Sequence, residues 1–169
     1  AINTVVMEVS SHALSQSRVS GVQFDIAVFT NISRDHLDYH GSMERYGAEK
    51  QKLFQHPSIT TVIVNADDPY SDRMLENLSE NVSVIRYSMQ NPTADLYADN
   101  ISMSTNGISF DLYNQGHCYP VATRLFGKFN VSNLLASLGV LAALGHSMKT
   151  LSKVSENIHT VPGRMERFS

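Results

Sequence analysis

Between Asn31 and Phe54 the chain reads NISRDHLDYHGSMERYGAEKQKLF, a stretch that places imidazoles and carboxylates just ahead of a lysine-bearing helix. Ser42 has the side chain of an N-cap, and Glu44 falls in the first turn, where a negative charge suits the helix dipole. From there Met43, Tyr46, Gly47, Lys50, Leu53 and Phe54 recur at helical spacing and form one face. Glu44, Arg45, Glu49, Gln51, Lys52 and Gln55 take the other faces. Lys50 therefore lies on the inward stripe and Lys52 on the wet side. An inward lysine admits two readings. Its stem can pack while the ammonium reaches out to water or to a carboxylate. Alternatively, burial disfavours the charged form and leaves a free amine, which can act as a nucleophile or capture carbon dioxide as a carbamate. A carbamate is an anionic oxygen donor suited to a hard cation such as magnesium.

Other residues offer chemistry of lesser specificity. Asp35, His36 and His40 carry the donor types of a transition-metal or hydrolase site, and equally those of a capped loop with solvated imidazoles. Ser10-Ser11-His12 pairs hydroxyls with an imidazole, although adjacency in sequence does not put a base on a nucleophile. Glu8 closes an apolar run, where nucleotide-hydrolysing sheets place a magnesium-binding acid. Asn130 and Asn133 put two amides one turn apart at a helix start, and Arg164 offers a cation near the end of the chain.

These side chains need a scaffold, and the pattern predicts an α/β one. Ile2–Val9, Phe24–Thr30, Thr60–Val64 and Val82–Tyr87 read as buried strands. Helices are expected from Ser10 towards Val19, from Ser42 to about His56, and from Pro69 to Ser79. Continuous apolar strands alternating with helices imply a parallel, Rossmann-like nucleotide-binding sheet covered on both faces. Three alternating segments, 96–103, 107–113 and 117–123, are separated by Asn106-Gly107 and Asn114-Gln115-Gly116 and read as an appended antiparallel meander. A helix apolar nearly all round follows from Asn130 to Leu144, then a second from Thr150 to His159, with a strand starting at Met165. In such sheets ligands bind beyond the carboxyl ends of the strands. Glu8 and Ser10, then Asn31, Asp35 and His36, then Asn65, Asp67 and Asp68 should all gather at that edge.

The ordered motifs Met7-Glu8-Val9-Ser10-Ser11-His12, Asp35-His36-Leu37-Asp38-Tyr39-His40-Gly41 and Tyr46 through Lys50 closely resemble those of the Mur ligases of peptidoglycan synthesis. Asn65-Ala66-Asp67-Asp68, Phe129-Asn130-Val131-Ser132-Asn133-Leu134 and Pro162-Gly163-Arg164-Met165-Glu166 follow in the order of that family's central ATPase domain. Within the family the likeness is to the branch that adds the third residue, diaminopimelate or lysine, to UDP-MurNAc-L-Ala-D-Glu. The resemblance implies an ATP-dependent amide ligase working through an acyl phosphate, with Mg2+ and ATP required. It implies that Glu8, His36 and a carbamylated Lys50 hold magnesium, with Asp35 behind them. Ser10 and Arg18 would hold the UDP-muramoyl dipeptide, Asn130 and Asn133 the adenine, and Arg164 the ATP phosphates. A bacterial cytoplasmic enzyme, monomeric, is the expectation.

The chain also departs from the family pattern. It contains no Gly-rich loop ending in Gly-Lys-Ser/Thr, and Gly127-Lys128-Phe129 is not one. Residues 1–169 are therefore expected to be part of a central domain, without the phosphate loop, the UDP-binding domain or the amino-acid-binding domain, and inactive alone. Related folylpolyglutamate or cyanophycin synthetases, a metal hydrolase built on Asp35, His36 and His40, and a non-catalytic nucleotide-binding module are the rival readings.

Composition sets the outer bounds. The 169 residues suffice for one domain with a real core. A formal net charge of −3 gives no electrostatic case for nucleic acid or acidic membranes. No apolar run approaches the roughly 20 residues of a membrane span. The single cysteine, Cys118, cannot form an intramolecular disulfide and fits a reducing compartment.

Overall fold

The computed structural model describes residues 3–158, and its frame is one six-stranded sheet in the order β1-β2-β3-β4-β5-β6. Strands β1 (Ile26–Phe29), β2 (Thr61–Asn65) and β3 (Ser83–Ser88) run parallel, and β3 also pairs in parallel with the first residues of β4 (Leu96–Ser104). From β4 the sheet turns antiparallel through β5 (Gly107–Asn114) and β6 (His117–Thr123). The expected mixed architecture is therefore present.

Helices cover both faces, which explains why the parallel strands read as unbroken apolar runs. On β2, Val62 and Val64 join a cluster with Ala27, Phe29, Phe54 and Met74 beneath α3 (Met43–Phe54) and α4 (Ser71–Leu75). Ile63, between them, points the other way into the larger core built by α5 (Phe129–Ala143), α6 (Met148–Val154) and the meander. All three side chains are fully buried. The alternation of β side chains thus serves two cores at once.

Several expectations need correction. Residues 3–9 form no strand; they run without regular structure, and Val5 and Val6 are 78% and 88% exposed. A β-branched run becomes a strand only when a neighbour pairs its backbone, and none of the described residues does so. Helix α1 spans only Ser11–Ser15, followed by turns. Helix α4 stops at Leu75 instead of Ser79, because Glu76 is extended and Asn77 turns left-handed at φ 60°. Helix α5 is not buried all round: Asn133, Ser137, Leu141 and Leu144 face outward. The last helix, α6, starts at Met148 and ends at Val154, passing into a 3-10 turn at Ser155–Asn157 before the extended Ile158, so it stops short of the expected His159. The expected strand at Met165 lies outside the described residues. No helix among the described residues is long and apolar enough to cross a membrane.

The meander imposes one hard steric constraint. Gly107 opens β5 at φ 134°, and a Cβ there would sit 1.9 Å from the Thr123 carbonyl oxygen of β6. Gly116, in the next turn at φ 76°, faces open space. Gly107→Ala is therefore expected to destabilise the protein by about 2–4 kcal/mol, and Gly116→Ala by about 1 kcal/mol. Urea unfolding midpoints of the two variants test the difference, which vanishes if the backbone at Gly107 can yield.

Candidate active site

Helix α3 begins as its sequence dictates. The Ser42 hydroxyl accepts from the Arg45 N–H at 3.3 Å, and Glu44 in the first turn has its carboxyl held below the usual range by its own backbone N–H and by Ser42. The buried Gln51 amide reaches the Arg73 carbonyl at 2.7 Å and fixes α3 against α4. This sets the helix rotation and turns Lys50 towards the sheet. Lys52 points outward and pairs with Glu49 at 2.7 Å. Lys50 is half-buried, with Nζ 5.3 Å from the centre of the Tyr46 ring. It lines a small cavity of about 50 Å³ with Val9, Phe29, Thr30, Asn31 and Leu53. That volume holds a few waters and is far below that of a nucleotide pocket. Burial pushes the amine below its ordinary pKa, and the Glu8 carboxylate opposes that shift.

Around Tyr46 lies a cluster of rings. His36, the residue before α2 (Leu37–His40), has left-handed φ 56°, a strained conformation for a side chain of this kind. Its ring meets His12 edge-on at 5.0 Å and Tyr46 edge-on at 6.0 Å, and Asp35 lies 3.8 Å from its Nε2. His40 is buried, stacks on Tyr46 at 5.1 Å and 14°, and shares a 2.9 Å hydrogen bond with the buried Ser11 hydroxyl. Burial, then the neighbouring His12, push the His40 imidazole pKa down. His12 packs on Tyr39, and the Tyr39 hydroxyl meets Ser15 and Gln16, which hold its pKa below the usual value. The serine–histidine pair that forms is thus Ser11 with His40, and Ser11 is too buried to attack a substrate. Ser10 instead caps α1, accepting from Ala13 N–H at 3.1 Å. Arg18 is exposed in the turn after α1, close enough to Tyr39 to favour its ionised form.

The carboxyl ends of the strands are joined by a polar lattice. Asn65 donates to the Thr30 carbonyl at 2.7 Å, and Asp68 accepts from the Ile32 N–H at 3.0 Å. Asp67 accepts from the Ser88 hydroxyl and, at 2.8 Å, from the Met89 N–H. The motif expected near a ligand therefore spends its side chains on tying loops together. The Tyr87 hydroxyl meets the Phe29 carbonyl at 3.4 Å and Ser132 of α5, and burial pushes its pKa up to about 12. Through Tyr87 the first turn of α5 is brought to the same sheet edge. There Asn130 donates to the Phe126 carbonyl at 2.7 Å, and Asn133 to the Asn130 side-chain oxygen at 3.3 Å. Arg164 lies outside the described residues.

Comparison with known proteins shows the family of the chain. The family profile of the Mur ligase middle domain matches residues 1–141. The chain belongs to the Mur ligase middle-domain family. A UDP-N-acetylmuramoyl-L-alanyl-D-glutamate–2,6-diaminopimelate ligase from Xylella fastidiosa is 45% identical over 97% of this chain and 33% of its own length. The enzyme of that name from Pseudomonas putida is 42% identical over 97% of this chain and 34% of its own. A solved diaminopimelate ligase structure superposes with TM-score 0.87 at 37% identity, covering 94% of this chain and 33% of that one. MurF from Acinetobacter baumannii, at 22% identity and TM-score 0.76 over 88% of this chain and 32% of its own, shares the fold. The chain spans about a third of the length of the curated relatives it matches.

Within this Mur ligase domain the sequence set Ser11 beside His12 without its true partner His40, and gave Tyr46 no role beyond its helix face. Tyr46 had a local signal, since it lies one turn before Lys50 on the same face. Ser11 had none, because its partner is 29 residues away. The His40 environment has a consequence for stability. Its folded-state pKa lies below the ordinary 6.5, so the unfolded chain binds the proton more readily. The stability involved is complete above about pH 6.5 and is lost as pH falls through that value towards the folded-state pKa. His40→Gln should lose less stability than wild type between about pH 7.5 and about pH 5.5. Parallel denaturant curves at the two pH values decide it; equal losses would mean that His40 takes up its proton freely in the fold.

Proposed function

We propose that this chain is the working centre of an ATP-dependent amide ligase of the MurE type, which adds a diamino acid to UDP-MurNAc-L-Ala-D-Glu in bacterial peptidoglycan synthesis. The observation that carries the reading is Lys50, half-buried with a depressed pKa beside Glu8, in a chain that shares 45% of its residues with a diaminopimelate ligase. The enzyme acts as a monomer in the cytoplasm, and a longer protein supplies a phosphate loop and the domains that hold the UDP group and the amino acid. Residues 1–169 alone do not turn over.

Magnesium fits this site on one condition. Among the described residues no three His, Cys, Asp or Glu side chains converge on a point that could hold a metal ion. A carbamate on Lys50 supplies the missing anionic oxygen, and with Glu8 and His36 it makes a donor set dominated by hard oxygen. The same fact weakens the hydrolase alternative, since His40 is committed to Ser11 and Tyr46. When bound, magnesium neutralises charge on the transferring phosphoryl group.

The roles of the protein groups follow. Lys50, as a free amine, takes up carbon dioxide and loses a proton to become the carbamate; the small cavity around it limits competing solvent. Ser10 at the start of α1 and Arg18 after it orient the muramoyl dipeptide, the arginine through its charge. Asn130 and Asn133 offer amide donors and acceptors to the adenine edge, and Arg164 a cation to the phosphates. The substrate carboxylate takes the γ-phosphoryl group of ATP, and the diamino acid's amine displaces phosphate to form the amide. Holding these reactants in one geometry is what the domain contributes.

In the full-length protein Lys50→Ala should lower kcat for ATP-dependent amide formation by at least about a hundredfold, the scale of a lost transition-state charge contact. High bicarbonate or a short carboxylic acid should restore part of the rate. Phosphate release with UDP-MurNAc-dipeptide and diaminopimelate measures it; wild-type turnover in that variant would return Lys50 to a packing role.

A further inference from the structure

The three residues assigned to magnesium come from three places: the segment before α1, the loop before α2, and the middle of α3. Something must keep their spacing. Ligand side chains on short elements hold their geometry only when neighbours lock them, and such neighbours act without touching substrate.

The Tyr46 ring is the common neighbour of two of them. It lies 5.3 Å from Lys50 Nζ and 6.0 Å, edge-on, from the His36 ring. Tyr46 is itself 5% exposed, so its ring cannot swing into solvent. One ring packs nearly parallel on it, and that is His40. His40 in turn shares its Nε2 with Ser11 Oγ, both groups being buried. Ser11 is the first residue of α1, three positions after Glu8. A hydrogen bond between two groups withdrawn from water is costly to leave unmade, so the joint resists slipping. His12 and Tyr39 close its outer side at 5.5 Å and 4.8 Å.

We propose that His40 is a positioning residue for the ligation reaction: bonded to Ser11 and stacked on Tyr46, it fixes α1 against α3 and so holds Glu8, His36 and Lys50 in register. The imidazole suits the post because it offers a flat ring to Tyr46 and an in-plane nitrogen to Ser11 at once. Phenylalanine keeps the first function alone, and glutamine the second alone.

This inference rests on the reading of Lys50 as the carbamylated group, and the test separates the two. The full-length protein is prepared as wild type, His40→Phe, His40→Gln, Ser11→Ala, the Ser11→Ala/His40→Phe double variant, and Lys50→Ala. Each is assayed for kcat and for KM towards ATP and the muramoyl dipeptide. Carbon NMR in labelled bicarbonate, with Lys50→Ala as the blank, reads carbamate occupancy independently of turnover. The expected result is a tenfold or greater fall in kcat for His40→Phe and Ser11→Ala, with KM for ATP unchanged. The carbamate signal should weaken in both and recover, together with activity, at high bicarbonate. The double variant should be no worse than His40→Phe, since both remove one bond. Lower thermal stability with kcat and the carbamate signal at wild-type values would overturn the proposal and leave His40 a packing residue. If Lys50→Ala lacks neither signal nor activity relative to wild type, the reading of Lys50 falls first; if Lys50→Ala is dead while the His40 and Ser11 variants are normal, the positioning role alone falls.

Discussion

Withdrawing an amine from water is the constraint around which this domain is arranged. Two lysines two residues apart on α3 meet opposite fates: Lys52 keeps its charge beside Glu49 at the surface, while Lys50 turns into the crevice at the ends of the parallel strands. Desolvation disfavours the ammonium form of Lys50, and no salt bridge among the described residues compensates it. Among the described residues, the face of Tyr46 and the field of Glu8 favour the cation. The placement carries a desolvation cost that these contacts offset in part. The proposed conversion to a carbamate would reverse the sign of the group and with it the electrostatic logic of the site.

The crevice exists because the strand ends are held apart and braced without using the groups that do chemistry. Asn65, Asp67 and Asp68 knit the loops after β1, β2 and β3 together through backbone N–H and carbonyl groups. Tyr87 reaches across to the end of β1 and to Ser132, so the amide-bearing turn of α5 shares the same edge. A parallel sheet supplies this geometry at low cost, since all its strands end on one side. The meander beyond β4 continues the sheet and supplies the apolar floor on which α5 and α6 rest.

Where the signal was local, the sequence was legible. The Ser42 cap, the inward stripe of α3 and the turns of the meander were read nearly to the residue, because each depends on neighbours within a few positions. Ile2–Val9 misled, since a strand is a relation between segments and composition reports only one partner. Helix α4 was read too long, because Asn77, a residue type that readily adopts the left-handed conformation ending a helix, was given no weight. In the site, Lys50 was found by helical phase, whereas the Ser11–His40 bond spans 29 residues and has no pattern. The adjacent Ser10-Ser11-His12 string drew attention to the wrong pairing: α1 turns His12 onto Tyr39 and buries Ser11 towards α2.

Several groups assigned to ligands are already bonded within the protein, and this is compatible with those assignments. Ser10 caps α1, Asn130 holds the Phe126 carbonyl, and Asn133 leans on Asn130. A hydroxyl has a donor left when its oxygen accepts, and an amide retains an acceptor when its nitrogen donates. Ser10 can thus donate to a substrate oxygen while its cap stays intact. Asn133 is exposed, and releasing its 3.3 Å contact gives up no more than about 1 kcal/mol, which a hydrogen bond to the proposed adenine would return. Asn130 is different: its bond to Phe126 is short and half-buried, so it is better suited to fix the loop entering α5 than to leave it. Under the proposed adenine role the two amides would then divide the task, Asn130 shaping the loop that enters α5 and Asn133 meeting the ligand.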